Sequence, residues 1–357
     1  AIAFRDVAQS LFATLGTGQL EIAGEVLASA RTYTTSEDGT FGLFSPAMDV
    51  DDAKGHSFIV HLRNDDSFRS NIGFAEVSGN PARVVIELRS ASGQEQVVSY
   101  ELLPFSHLQV PVAMRGEQIH ARVTVEGSGR VLAYGATIDN HSGDPIYVPA
   151  VAGPSSNVRV IPAISSAGVA GTYWRTEYVV TPLAEHSLQS QTFIAPERAP
   201  IERGVEGAKR FDDVLEELFG VSNTRGTITA APMLTPAIVS ARIWTEGPNG
   251  TYGQFVPFGE PSLAPLHHIL HVESSEEYRT NIGMIAFASV SVRVTIHDAS
   301  GDPVATSVHH LRPYELEQFQ VPVPVTNGYA VIEGAGVHAY GSLVDNRSGD
   351  PILVPAS

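Results

Sequence analysis

Residues 139–149 read DNHSGDPIYVP and residues 345–355 read DNRSGDPILVP, identical at nine of eleven positions and 206 residues apart. Two Asp, an Asn, a Ser and a Gly in so short a stretch are residue types that ligate calcium, accept a glycan or turn a hairpin. A calcium ion takes about six to eight oxygens, several of them carboxylate. Asp139, Asn140, Ser142 and Asp144 offer at most four side-chain ligands in suitable spacing, and Asp345 and Asp350 repeat the pattern. Asp139, Asp144, Asp345 and Asp350 are therefore calcium candidates, and the sequence suggests no other metal or cofactor. The related turns SEDGT (36–40) and GPNGT (247–251) keep the glycine and lose the carboxylate pattern. A turn common to all units survives that comparison, whereas a shared metal chemistry does not. The structural turn is the preferred reading. The same stretches hold glycosylation sequons at Asn140, Asn249 and Asn346, which an exposed turn would present.

A second repeated constellation is aromatic-Arg-Ser/Thr. It occurs in FRSNIGF (68–74), YRTNIGM (278–284) and the divergent WRTEYVV (174–180). An Arg beside an aromatic on a strand stacks its planar head or forks a carboxylate. Arg69, Arg175 and Arg279 each have an acid at the later turn of the same unit, namely Asp139, Glu246 and Asp345. The expectation is an internal clasp, Arg69–Asp139, Arg175–Glu246 and Arg279–Asp345, tying an early strand to the last hairpin.

Histidines cluster at His267, His268 and His271 and again at His309 and His310. Neighbours on a strand point to opposite faces, so His309 and His310 cannot serve one site. No nucleophile elbow, zinc-protease helix, phosphate loop or dinucleotide fingerprint occurs, and no two carboxylates stand out as a glycosidase pair. No catalytic or cofactor-binding residue is assigned, and the chain is not expected to be an enzyme.

The scaffold for these groups follows from composition and repeats. The chain has 357 residues, 43% of them hydrophobic and 17% charged, with 32 Gly, 23 Pro, no Cys and a net charge of −17. That charge disfavours nucleic acid and anionic lipid, and the absence of Cys removes disulfides and thiol catalysis. No apolar run is long enough to span a bilayer, so membrane insertion is not expected. The opening stretch 4–46 matches 211–257, and with the two motif repeats this gives a period of roughly two hundred residues holding two related units of about a hundred. Runs such as PARVVIELR (81–89) and SVRVTIHD (291–298) alternate over strand lengths between Gly-rich turns. The predicted class is all-β, in tandem immunoglobulin-like sandwiches.

Four pieces are expected. An incomplete β unit with a short N-terminal helix spans 1–47. Sandwiches span 48–152, 153–262 (with a short helix near 211–219) and 263–357. The stretch 151–157 is the clearest linker. Against 153–262, the first piece lacks the part corresponding to 158–207, which trimming, completion by strand addition from another chain or a different packing would account for.

The motifs FRSNIGF, YRTNIGM, GTYGQFVP, DNHSGDP and DNRSGDP together resemble β-sandwich repeat regions of secreted bacterial surface proteins, over nearly the whole chain. The resemblance implies export, an extracellular or cell-surface location and a role in adhesion, assembly or display, and brings no catalytic activity with it. The expected function is an extracellular structural or interaction protein, such as a self-associating surface-layer or filament subunit. The alternative is a carbohydrate- or ligand-binding module with Trp174 and Trp244 as its platform. Expected partners are further copies of the chain or other surface proteins, with glycans as the alternative.

Overall fold

The computed structural model describes residues 1–37, 39–153, 157–169, 171–184, 186–196, 198–259 and 264–357. Asp38 of the SEDGT turn and residues 154–156 of the expected linker lie outside these. So do residues 260–263, which span the expected boundary between the last two pieces.

The chain opens with α1 (Val7–Phe12) and a two-stranded hairpin, β1 (Ser29–Ser36) and β2 (Gly39–Pro46). Unit 2 follows with β3 (His56–Asn64), β4 (Phe68–Glu76), β5 (Ala82–Ser90), β6 (Glu95–Leu102), β7 (His107–Pro111), β8 (Gly116–Gly127), β9 (Val131–Asp139) and β10 (Pro145–Pro149). Its two four-stranded antiparallel sheets run β3-β8-β5-β6 and β10-β9-β4-β7. The period of two decides which residues face inward. On β5, Ala82, Val84, Ile86 and Leu88 are buried while Arg83 and Arg89 are exposed. Ile59, Ile72, Phe74 and Ile119 complete the core between the sheets.

Unit 3 contains β11 (Arg159–Val169), β12 (Thr172–Pro182), β13 (Leu188–Ile194), β14 (Ile201–Glu206), β15 (Lys209–Phe211), α2 (Val214–Glu217), β16 (Thr224–Pro232), β17 (Ala237–Gly247) and β18 (Gly250–Val256). Its strands form one path, β14-β13-β16-β11-β12-β17-β18, with β15 on β12. β11 pairs with β16 on both sides of an irregularity between Ile161 and Ile164, and from Ala167 onward with β12. The two arms of the path close over Ile161, Phe193, Ile228, Tyr178 and Val239. Unit 4 is built from β19 (Leu266–Ser274), β20 (Tyr278–Ala286), β21 (Val290–His297), β22 (Pro303–Leu311), β23 (Leu316–Gln320), β24 (Val325–Glu333), β25 (Val337–Asp345) and β26 (Pro351–Pro355). Its sheets, β19-β24-β21-β22 and β23-β20-β25-β26, reproduce the order of unit 2.

The protein is therefore all-β, with tandem sandwiches; among the described residues it has two short α-helices, one in each odd-numbered piece, and a 3-10 turn at Val50–Asp52. Among the described residues no helix is long and apolar enough to cross a membrane.

The units interlock. Phe44 of β2 lies in the core of unit 4, and its counterpart Phe255 of β18 packs against the core of unit 2. Leu316, Tyr340 and Leu353 of unit 4 join the core of unit 3. The β1–β2 hairpin thus stands to unit 4 as β17–β18 stands to unit 2. Residues 29–46 align without a gap on 240–257, from Ser29-Ala30-Arg31 on Ser240-Ala241-Arg242 to Pro46 on Pro257.

Candidate functional site: a paired aspartate junction between units

The DNxSGDP turns reach out of their own sandwiches. Asp139 ends β9, and its Oδ1 accepts from the backbone amides of His141 (2.7 Å) and Ser142 (3.0 Å), closing the turn. Its Oδ2 accepts from Thr251 of β18, through the amide at 2.9 Å and the hydroxyl at 2.7 Å. Ser142 returns a bond from its hydroxyl to the Thr251 carbonyl at 2.8 Å. Two residues on, Asp144 Oδ2 accepts from the Gly253 amide at 2.8 Å.

Unit 4 repeats each bond on β2. Asp345 Oδ1 accepts from the amides of Arg347 and Ser348, and its Oδ2 accepts from the Thr40 amide (3.0 Å) and hydroxyl (2.7 Å). Ser348 donates to the Thr40 carbonyl, and Asp350 Oδ2 accepts from the Gly42 amide at 3.0 Å. The partner of DNxSGDP is thus the Gly-Thr-aromatic-Gly strand of the neighbouring odd-numbered piece.

That partner strand needs its glycines. Gly250 and Gly39 adopt φ of 132° and 123°, where L side chains are strained, and a Cβ there would meet Asp139 Oδ1 or Asp345 Oδ1 at 2.8 Å. The aromatics between the glycines, Phe41 and Tyr252, stack on each other at 5.4 Å with planes 13° apart. An approximate two-fold relationship therefore runs through this stack, pairing β2 with β18 and β26 with β10.

Arginines brace both junctions. Arg242 Nη2 donates to the Thr251 hydroxyl at 2.8 Å, lies 3.8 Å from Asp144 Oδ2, and has its guanidinium 5.3 Å from the Phe68 ring. Arg31 donates to the Thr40 hydroxyl at 2.9 Å, lies 3.6 Å from Asp350, and sits over Tyr33 and Tyr278. Burial by itself would raise the Asp139 and Asp345 carboxyls. Hydrogen bonds from the Thr251 and Thr40 hydroxyls and from backbone amides outweigh it and hold both below the usual range.

Asp144 and Asp350 behave in the opposite way. Both are buried, and each side chain is within hydrogen-bonding distance of the other. Burial drives Asp144 up to about 7 despite the opposing charge of Arg242. Burial, then the charge of Asp144, raise Asp350 well above the carboxylate range. Oδ1 of each is buried without a protein donor, so one proton shared between the two satisfies both.

The sequence-based clasp needs correction at two of its three places. Arg69 donates to Asn140 Oδ1 at 2.8 Å and Arg279 to Asn346 Oδ1 at 2.7 Å, rather than to Asp139 or Asp345. The reason is geometric: the aspartate oxygens are already filled by turn amides and by the threonine of the next unit. Arg175 does meet Glu246, at 3.3 Å, on an exposed edge, and it lies over the rings of Tyr173 and Trp244. The four calcium candidates turn their oxygens to backbone amides, hydroxyls or each other, and among the described residues no cluster of three or more His, Asp or Glu is placed to hold a metal. His309 stacks on Phe319 and bonds Glu317, while His310 meets Ser291. His267 and His271 share β19, with a register irregularity between them.

Sequence reasoning passed over one group. His61 sits at an irregularity of β3 with φ of 60°, its Nδ1 2.9 Å from Ser240 Oγ and its Nε2 3.3 Å from Glu177. Glu177 also accepts from Arg210 at 2.9 Å. Burial opposes ionisation of Glu177, but the charges of His61 and Arg210 hold its carboxyl far below the usual range. Ser-His-Glu is the residue set of a hydrolase triad. Here all three are buried, and the adjoining cavity is only about 10 Å³, the room of one water. His271 recurs at the equivalent bulge, with φ of 54° and a hydrogen bond to the Ser29 backbone. The alignment of FIVHLRN with HILHVES would have flagged the pair.

No family model and no curated protein matches the chain. Among solved structures it is similar to the crystal structure of a tetra-tandem repeat in the extending region of a large adhesion protein. That match has 10% identity over 92% of this chain and 80% of the other, with a TM-score of 0.13, too low to carry a functional argument.

Proposed function

We propose that this chain is a non-catalytic structural or interaction protein of the bacterial cell surface or extracellular space, with self-association into a layer or filament as its specific form. The observation that supports this reading is where the repeated polar residues are spent. Asp139, Ser142 and Asp144, with Asp345, Ser348 and Asp350, all bond the neighbouring unit, fixing how sandwiches sit on one another. A net charge of −17 and the absence of Cys suit a chain outside the cell that does not rely on disulfides. The test is sedimentation with electron microscopy over a range of protein and calcium concentrations. Ordered multimers support the polymer form, and monomers under every condition overturn it.

A further inference from the structure

A second Ser-His-Glu set lies at the side of unit 4. β22 is the outer strand of one sheet and β23 the outer strand of the other, and a bond from His309 to Glu317 spans the seam between them. Ser307 and His309, two apart on β22, share a face. Ser307 Oγ lies 2.7 Å from His309 Nε2, and His309 Nδ1 lies 2.5 Å from Glu317 Oε1. Phe319 stacks on the His309 ring, with centroids 4.6 Å and planes 14° apart, and fixes its plane.

A carboxylate only accepts, so Glu317 draws the imidazole proton to Nδ1 and leaves Nε2 as the acceptor. The Ser307 hydroxyl then donates to Nε2. Nucleophile to base and base to orienting carboxylate, each within hydrogen-bond reach, is the order in which a serine is activated. The His61 set is sealed by burial of all three residues. Here Ser307 is half-buried on an edge strand, and the side chains of His309 and Glu317 are 12% and 37% exposed.

Unit 2 shows that the sandwich does not ask for this trio. In register, Leu311 opposite Val290 corresponds to Leu102 opposite Ala82, and Leu316 opposite Ile285 to His107 opposite Ala75. Ser307, His309 and Glu317 therefore occupy the places of Val98, Tyr100 and Leu108, which pack against the core of unit 2. Exchanging those side chains for a linked polar trio gives up buried apolar area.

We propose that Ser307 is an acyl-accepting nucleophile for activated acyl groups such as those of aryl esters, with His309 as its general base and Glu317 positioning that base. Ser307 Oγ bonds to the ester carbonyl carbon as its proton passes to His309 Nε2, and the bond from that carbon to the aryloxy oxygen breaks. The departing phenolate takes the proton from His309, leaving an acyl-serine and a phenol. The step modifies the chain once, so it goes beyond the structural reading without resting on it.

The probe is p-nitrophenyl acetate, added to the full chain, with release of p-nitrophenol followed by absorbance and the acetyl group located by peptide mass spectrometry. A burst approaching one equivalent is expected, with the acetyl group on Ser307. Ser307→Ala should lose the burst, and His309→Gln should slow it by about a hundredfold, as loss of a general base does. Glu317→Gln should slow it at an unchanged melting temperature, with partial rescue by Glu317→Asp; a carboxylate that only held the seam would move the melt and not the rate. Acetyl groups spread over Lys54, Lys209 and the amino terminus without preference for Ser307 overturn the proposal, and so does an equal burst in Ser307→Ala. Release beyond one equivalent that Ser307→Ala abolishes supports the nucleophile and overturns the non-catalytic reading instead.

Discussion

Asp144 and Asp350, 206 residues apart in sequence, meet side chain to side chain at the approximate two-fold relating the two halves of the molecule. Each takes one backbone amide of a glycine on the opposite odd-numbered piece, Gly253 or Gly42, and each has a buried arginine beyond it, Arg242 or Arg31. Two carboxylates this close cannot both ionise at low cost, so the pair retains a proton in the folded state. The centre of the assembly is thereby made of groups that each unit supplies once.

Stability should carry the mark of that proton. A carboxyl whose folded pKa is raised binds protons more tightly folded than unfolded, so its contribution is complete below about pH 4 and declines as pH rises toward and beyond 7. Around the pair stand Arg31, Arg242 and the charges of Asp139 and Asp345, all held in place by their own bonds. His120 and His338, which burial pushes down to about 4, contribute the opposite slope as pH falls below the histidine range. The clean measurement is therefore the difference in melting temperature between the native chain and Asp350→Asn from pH 5 to 9. An amide at 350 can accept from Gly42 and donate to Asp144 without a proton. The variant should gain relative stability steadily with pH, and parallel curves would refute the shared proton.

The sequence displayed the strands through their alternation, the order of units through their repeats and the importance of DNxSGDP through its recurrence. It did not display what the motif touches. A turn that caps itself and a turn that caps itself while gripping Thr251 use the same residues, because the deciding partner lies 112 positions away. The arginine error has the same origin. Arg69 and Arg279 belong to the conspicuous motif, yet the braces are Arg31 and Arg242 of the plainer Ser-Ala-Arg repeat. Their counterpart relation was visible, but their distance to Asp350 and Asp144 was not.

Glycines at the junction should be far less replaceable than glycines in the turns. Gly143 and Gly349 have φ near 80° with open space around them, so alanine there costs about 1 kcal/mol of backbone strain. Gly250 and Gly39 add a steric conflict with the turn they hold, at 2.7–3.0 Å from backbone amides of Ser142 and Ser348. Gly250→Ala should therefore destabilise by about 2–4 kcal/mol in urea unfolding, several times the effect of Gly143→Ala. Equal effects would mean that the turn is not pressed against the strand.

The bond between Asp139 and Thr251 should show as coupling. Removing one partner of a buried hydrogen bond to a charged group costs about 1.5–3 kcal/mol, and the loss overlaps when both partners go. Asp139→Ala and Thr251→Val should each destabilise by about that amount. The double variant should fall short of the sum by about 1 kcal/mol. The same cycle on Asp345 and Thr40 should give a similar value, since the two junctions repeat bond for bond. Additive effects would show the contact to be incidental.

Arg242→Met and Arg279→Met separate the two classes of arginine. Arg279 bonds Asn346 at an exposed turn, and its loss should cost no more than about 1 kcal/mol. Arg242 is 3% exposed, donates to Thr251, approaches Asp144 and stacks on Phe68. Methionine fills much of its volume but leaves Asp144 without the neighbouring positive charge that Arg242 supplies, at about 3–5 kcal/mol for a broken buried pair. The melting temperature of Arg242→Met should therefore fall well below that of Arg279→Met, and its Asp144 should hold its proton to still higher pH. The reverse order would return the structural role to the aromatic-Arg-Thr motif.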